Sequence, residues 1–265
     1  RVFAVMGHPI SHSLSPIMHT AAFQALGLDA VYAPLDVPPK QLGAVLRGMQ
    51  VMGVDGCNVT VPLKEHGAKA RGPQQLEATA ALLQAVDTLA LQDGTWTGHN
   101  TDVEGFRRAL AWELRCDVRN KTVVLLGAGG AACAAAWALA KMSPKTLLVA
   151  NRTPAHATRL VRWLRGQAPG LAVQTVPFAK ASLSRILGDA DLLVNATSLG
   201  LRAADRLPVD PAAIHQRLCV FDLVYHAPTT RLVREARKRG AIAVDGLAML
   251  IYQGAESFRL WWQRE

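Results

Sequence analysis

Short apolar runs alternate with stretches of helical spacing along most of the chain. Val2–Met6 is a strand-like run that ends in a Gly7-His8-Pro9 turn. Pro16–Leu26 repeats its apolar positions at helical spacing, with Ser15 placed to cap it and Pro16 at the first helical position. A second strand is predicted at Val31–Leu35, a helix over Pro39–Met49 and a third strand over Gly56–Val61. Val86–Leu91 and Trp96–Gly98 flank Asp93-Gly94, a dipeptide that suits a tight hairpin turn.

The texture changes near Asp102. Val103–Leu114 reads as a helix with Phe106, Leu110 and Leu114 on one face. Thr122–Leu126 is short and apolar, and runs directly into the glycine-rich segment Gly127–Ala132. An alanine-rich helix follows to about Lys141, then another apolar strand at Thr146–Ala150. This is a β-α-β unit with its crossover helix. Further strands at Val173–Val176, Leu192–Asn195 and Cys219–Leu223 imply a parallel, doubly wound sheet. A long helix, Gly246–Gln263, closes the pattern. The expected architecture is two α/β domains with a cleft between them. Residues 1–102 with 240–265 would form a substrate-binding catalytic domain, and 103–239 a Rossmann-type dinucleotide-binding domain.

Composition narrows the classes. A chain of 265 residues, 50% hydrophobic, suits two packed domains. The longest apolar run, around Ala131–Ala140, falls well short of the roughly 20 residues of a membrane span. No charged-then-apolar leader opens the sequence, so a cytoplasmic location is expected. The net charge of +9 comes from dispersed basic residues. Their densest stretch, Arg231–Arg239, sets Leu232, Val233 and Ala236 at helical spacing, which makes it a solvated helix face rather than a nucleic-acid surface. The 4 cysteines have no CxxC pairing, so reduced thiols and no metal are expected.

Gly127–Ala132 fits the G-x-G-x-x-G/A pattern, with Gly129 and Gly130 in the turn and Ala132 in the third slot. Gly127 allows a tight turn, Gly129 lets backbone approach a pyrophosphate, and a small residue at 132 lets helix and strand pack closely. Amides at the helix N-terminus would face the phosphates. The second strand ends in Asn151-Arg152-Thr153, with no carboxylate to hold a ribose 2′-hydroxyl and a guanidinium for a 2′-phosphate. NADP is therefore expected, with NAD as the alternative.

Three polar clusters mark the first half: Ser11-His12-Ser13 with Ser15, Asn58 to Lys64, and Gly98 to Asp102. With Gly7–His19, Gly127–Ala132, Asn151–Thr153, Asn195–Gly200, Asp222–Tyr225 and Gly246–Ala255, they make the chain resemble the shikimate dehydrogenases along almost its whole length. The resemblance implies reversible NADP-dependent reduction of 3-dehydroshikimate to shikimate, on the route to chorismate and the aromatic amino acids. It implies that Lys64 and Asp102 are the catalytic pair, and that Ser13 and Ser15 hold the substrate carboxylate. Thr60, Tyr225 and Gln253 would contact the substrate's ring hydroxyls or carboxylate. Gly127, Ala128, Gly129, Gly130 and Ala131 would hold the pyrophosphate. Asn151, Arg152 and Thr153 would hold the 2′-phosphate, and Thr197, Leu223, Gly246 and Met249 would lie near the ribose or nicotinamide.

The pattern breaks at Gln84-Ala85-Val86-Asp87-Thr88, where the family usually has Gly-Ala-Val-Asn-Thr. Asp87 replaces an amide expected to contact ring hydroxyls, and an ionised carboxylate only accepts hydrogen bonds. A relative acting on quinate, an aminoshikimate or another ring acid, with NAD or NADP, is the alternative reading. Smaller departures are His156, where a second basic residue is common, and Leu201, where methionine is common. Monomer and homodimer both stay open.

Overall fold

The computed structural model describes residues 1–69, 75–202, 204–226 and 228–263. The chain divides into two compact units, Arg1–Asp102 with Gln253–Glu265, and Val103–Tyr252.

The first unit is built on one mixed sheet. β1 (Val2–Gly7) is buried from its second residue onward and pairs in parallel with both β2 (Val31–Asp36) and β3 (Gly56–Val59). A strand buried on both faces has to be apolar throughout, and Phe3-Ala4-Val5-Met6 is. The sheet continues through the hairpin of β5 (Thr88–Gln92) and β6 (Thr95–His99) to the short β4 (Gln75–Leu76), in the order β2-β1-β3-β5-β6-β4. Asp93 and Gly94 both have positive φ, 49° and 71°, which is the geometry a twisted two-residue hairpin requires. Helices α1 (Ser15–Ala25), α2 (Leu42–Val51), α3 (Lys64–Lys69) and α4 (Ala78–Leu83) complete this part of the chain.

Several local expectations shift. Ser15 does not cap α1: Leu14 holds that position with no side-chain bond, and Ser15 is the buried first residue of the helix. Pro39–Gln41 is a separate 3-10 turn before α2. The third strand stops at Val59 rather than at the predicted Val61, so Thr60 lies beyond its end. β4 and α4 had no clear apolar period; α4 is fixed by Glu77, whose carboxylate accepts the N–H groups of Thr79 (2.8 Å) and Ala80 (3.3 Å).

The second unit carries β7 (Thr122–Leu126), β8 (Thr146–Ala150), β9 (Val173–Val176), β10 (Leu192–Asn195), β11 (Cys219–Asp222) and β12 (Ile242–Asp245). All pair in parallel, in the order β12-β11-β10-β7-β8-β9. This is the doubly wound order, with its switch point between β7 and β10. Ahead of it, α5 (Asp102–Arg108) passes into a π-helical turn at Ala109–Glu113, so the predicted helix over Val103–Leu114 is not uniformly α. Helices α6 (Gly130–Lys141), α7 (Pro154–Gln167), α8 (Lys180–Leu187) and α9 (Arg231–Lys238) accompany the sheet. One apolar cluster gathers Leu125, Ala135, Leu147 and Leu164; the other gathers Val124, Leu126, Leu193 and Leu232. Alternate residues of β7 therefore feed opposite faces of the sheet. Because β12 pairs with β11, residues 240–252 group with this unit, not with the first one as expected. α10 (Leu247–Trp262) starts in the second unit and ends in the first. Among the described residues, no helix is long and apolar enough to cross a membrane, and the four cysteines form no disulfide.

Trp261 locks the end of α10 onto the first sheet. Its indole N–H donates to the carbonyl of Leu89 at 2.9 Å, and its rings lie 4.8 Å from Phe3. A Cβ on Gly56 would come within 2.3 Å of Trp261 Nε1, so glycine is the residue that lets the indole seat. Trp261→Ala should cost about 3–5 kcal/mol of stability, read from urea unfolding. A loss under about 1 kcal/mol would contradict this packing role.

Candidate active site

The apolar strand β7 delivers the chain to Gly127, which has φ +111°. A Cβ there would lie 2.6 Å from the carbonyl oxygen of Ala196, at the end of the neighbouring β10. Backbone conformation and close approach both demand glycine. Gly129 caps α6 in an extended conformation with no side-chain bond, and a Cβ on Gly129 or Gly130 would meet nothing within 4 Å. The first turn of α6 thus presents bare backbone to open space, as a pyrophosphate requires. Ala132, by contrast, is fully buried against the sheet. Ala128 and Ala131 are half-buried in the same turn.

At the end of β8, the Asn151 amide donates to the carbonyl of Thr153 at 2.9 Å and shapes the turn into α7. Arg152 and Thr153 are exposed there, with no carboxylate among these three residues. The donor set fits a 2′-phosphate better than a free 2′-hydroxyl.

A buried polar network at the strand ends escaped sequence reading. Asn195 donates to Asp222 at 2.8 Å, and its own Oδ1 accepts from the Thr197 hydroxyl at 2.7 Å. The Thr230 hydroxyl donates to the other Asp222 oxygen at 2.7 Å. The network holds the β10 and β11 termini, and with them Thr197 and the half-buried Leu223 and Tyr225. Gly246 is pressed onto this edge: a Cβ would lie 2.1 Å from the carbonyl oxygen of Leu223. Met249 is buried in the apolar cluster beside Phe106 and Phe221.

In the first unit, Lys64 begins α3 and Asp102 begins α5. The Lys64 ammonium donates to Asp102 Oδ2 in a close ion pair, the side chains 19% and 7% exposed. A pair this enclosed holds a proton donor at a fixed place. Behind it runs a chain of buried polar groups. Tyr32 donates to Asn58 (2.7 Å), and Asn58 donates to Ser257 (2.9 Å) and Thr88 (3.0 Å). The Thr101 hydroxyl reaches Gln253 at 3.3 Å. Ser15, also buried, bonds the Tyr32 phenol, whose ionisation burial pushes well upward. Ser13 is half-buried, and its Oγ accepts the N–H of Ser15 at 3.3 Å. Thr60 is half-buried at the turn.

Asp87 lies beside the Lys64–Asp102 pair. It is 2% exposed, and Thr101 and Asp102 main-chain N–H groups both donate to its carboxylate. Burial first, then the charge of Asp102, push it up to about 6, while Lys64 and those two N–H groups pull the other way. Both of its oxygens accept hydrogen bonds within the chain.

A doubly wound sheet with this bare glycine turn, together with a partly buried lysine–aspartate pair, defines a dinucleotide-dependent oxidoreductase class. Residues 5–89 match the "Shikimate dehydrogenase substrate binding domain" profile and residues 109–249 the "Shikimate / quinate 5-dehydrogenase" profile. The shikimate dehydrogenase (NADP(+)) of Methanopyrus kandleri is 44% identical over 98% of this chain and 89% of its own length. The Thermus thermophilus shikimate 5-dehydrogenase, solved with NADP(H) and shikimate, superposes with a TM-score of 0.87 at 36% identity, covering 99% of this chain and 94% of that one. A quinate dehydrogenase from Corynebacterium glutamicum, solved with NAD, gives 0.89 at 30%, covering 100% and 94%. The chain belongs to the shikimate dehydrogenase family.

The strand-end network has a pH signature. Burial pushes Asp222 up from 3.8 to about 6 against the pull of Thr230, Asn195 and Val224. In this window the folded protein keeps a proton that the unfolded chain has released. Stability from that proton is full below the unfolded value and is lost as pH rises through the folded one. Compared with Asp222→Asn, the wild type should lose on the order of 1–3 kcal/mol of relative stability as pH rises between those two values. Thermal melts of both proteins across the window test it, and a constant difference would contradict it.

Proposed function

We propose that this protein catalyses the reversible NADP-dependent reduction of 3-dehydroshikimate to shikimate, a step toward the aromatic amino acids. The observation that carries the reading is the enclosed Lys64–Asp102 pair, in a chain related to these dehydrogenases over nearly its full length. NADP supplies the hydride in the reducing direction and accepts it in the other. The protein's own residues bind, orient and move the proton.

Lys64 stands as the proton donor to the oxygen of the reduced ketone, and its positive charge stabilises the developing alkoxide. Asp102 orients that ammonium and offers an acceptor to a substrate hydroxyl. Ser13 and Ser15 are assigned to the substrate carboxylate, and Thr60, Gln253 and Tyr225 to the ring. Gly127 to Ala131 hold the pyrophosphate, and Asn151, Arg152 and Thr153 the 2′-phosphate. Thr197, Leu223, Gly246 and Met249 are assigned to the ribose and nicotinamide. A cytoplasmic enzyme, as monomer or homodimer, completes the reading.

Initial rates with shikimate or quinate, each paired with NADP⁺ or NAD⁺, test it. Shikimate with NADP⁺ should be the fastest pair; quinate with NAD⁺ being fastest would replace this reading with the quinate one. Lys64→Ala should lower kcat by at least about 10²-fold. Near-wild-type turnover would remove Lys64 from the chemistry.

A further inference from the structure

Beyond the ends of β10 and β11, the second unit holds a cavity of about 210 Å³. Arg202, Asp205 and Arg206 line it from the loop after β10, and Arg231 and Arg234 line it from α9. None of the residues assigned above to substrate or cofactor takes part in the lining.

Four guanidinium groups thus share the lining with one carboxylate. That carboxylate is already engaged: Asp205 Oδ2 accepts the main-chain N–H groups of Gly200 at 3.1 Å and Arg202 at 3.0 Å. Among the described residues, none of the four arginines forms a salt bridge. Glu235, one turn along α9 from Arg231, pairs with Lys238 at 3.0 Å. Arg234 gives one donor to the carbonyl of Thr229 at 3.1 Å, which leaves most of its N–H groups unspent. Elsewhere basic side chains are matched: Arg107, Arg108 and Arg259 each pair with a glutamate. Like charges gathered around a concavity repel one another and raise the local potential, and an anion relieves both.

The lining is also fixed in place. The Leu199 carbonyl accepts the Asn195 amide at 3.1 Å, and the Leu199 N–H donates to Thr197 Oγ1 at 3.1 Å. On the other side of the sequence, Thr230 donates to Asp222 at 2.7 Å. The buried strand-end network therefore holds both segments that carry the arginines, so little order has to be created on binding. A guanidinium fork matches phosphate oxygens in pairs, and several can share one phosphate. A phosphomonoester brings three terminal oxygens and nearly two charges at neutral pH. The cavity is smaller than the roughly 300–1,000 Å³ of drug-sized pockets, so its occupant has to be compact.

We propose that this cavity is a second anion site, separate from the contacts assigned to the cofactor, that takes a small phosphomonoester through Arg202, Arg206, Arg231 and Arg234. The proposal does not rest on the dehydrogenase reading.

Two measurements test it. In the first, glycerol 3-phosphate is titrated into the protein by calorimetry, with NADP⁺ present in excess. Wild type should show one saturable site. Arg206→Ser/Arg231→Ser, checked for folding by circular dichroism, should bind at least about tenfold more weakly, since each charge-assisted hydrogen bond is worth about that factor. Absent saturation in the wild type, or equal affinity in the double variant, would overturn the proposal. Malate binding as tightly as the ester would overturn the phosphate assignment. Binding is read without turnover, so a failed shikimate assay leaves this result to be judged by itself.

The second measurement needs no variant to fold. It is a crystal structure of the wild type with glycerol 3-phosphate, grown without phosphate or sulfate. The phosphoryl group should lie within hydrogen-bonding distance of at least two of the four guanidinium groups. An empty cavity, or an ester bound only elsewhere, would overturn the proposal.

Discussion

An ammonium and a carboxylate can share a mostly enclosed site only if something other than their attraction holds them there. Desolvation takes back much of what the Coulomb term provides, so the geometry has to be imposed by hydrogen bonds around the pair. Here Asp102 is imposed through its backbone. The buried Asp87 grips its N–H, and the hydroxyls of Thr88, Thr101 and Ser257 fill the space behind with mutually satisfied donors and acceptors. The network ends on Tyr32 and Asn58, which anchor it to β2 and β3. The rigidity of the first sheet is thus transmitted to the Lys64–Asp102 pair.

The second unit solves a different problem with backbone. A phosphate site needs free N–H groups and no side chains in the way, so its signature is the absence of Cβ atoms at particular points. Gly127 is demanded by a positive φ and by the carbonyl of Ala196, while Gly129 and Gly130 leave space where side chains would otherwise stand. Beside it, Asn195, Asp222 and Thr230 fix the neighbouring strand ends. Both units therefore place their chemistry where strands terminate, and both secure it with buried polar groups rather than with apolar packing alone.

Much of this was legible in the sequence. The run from Thr122 through Gly127 to the alanine-rich helix announced its strand, turn and helix, because composition and local geometry agree at every position. The Asp93-Gly94 hairpin was equally plain. Lys64 and Asp102 were found through the resemblance, not through spacing. What stayed hidden depends on long-range partners. Ser257 lies 199 residues from Asn58, and no local pattern announces that bond. Ser15 has the composition of a cap and is instead buried beside Tyr32. β12 is four residues long with one buried side chain, too short to outweigh the helical texture around it, so the second unit was ended too early. Asp87 was noticed as a departure, but the two main-chain N–H groups that its carboxylate accepts are brought there by the fold and not by local sequence.

The central claim is that Lys64 and Asp102 act as one device, and a double-mutant cycle tests it most directly. The kcat of Lys64→Ala, Asp102→Asn and the double variant would be compared with wild type under saturating shikimate and NADP⁺. If the two groups work as a unit, the double variant should be scarcely slower than the slower single variant, because either substitution already disables the pair. Losses that multiply, with the double variant slower by the product of the two single effects, would show the residues acting independently and contradict the account.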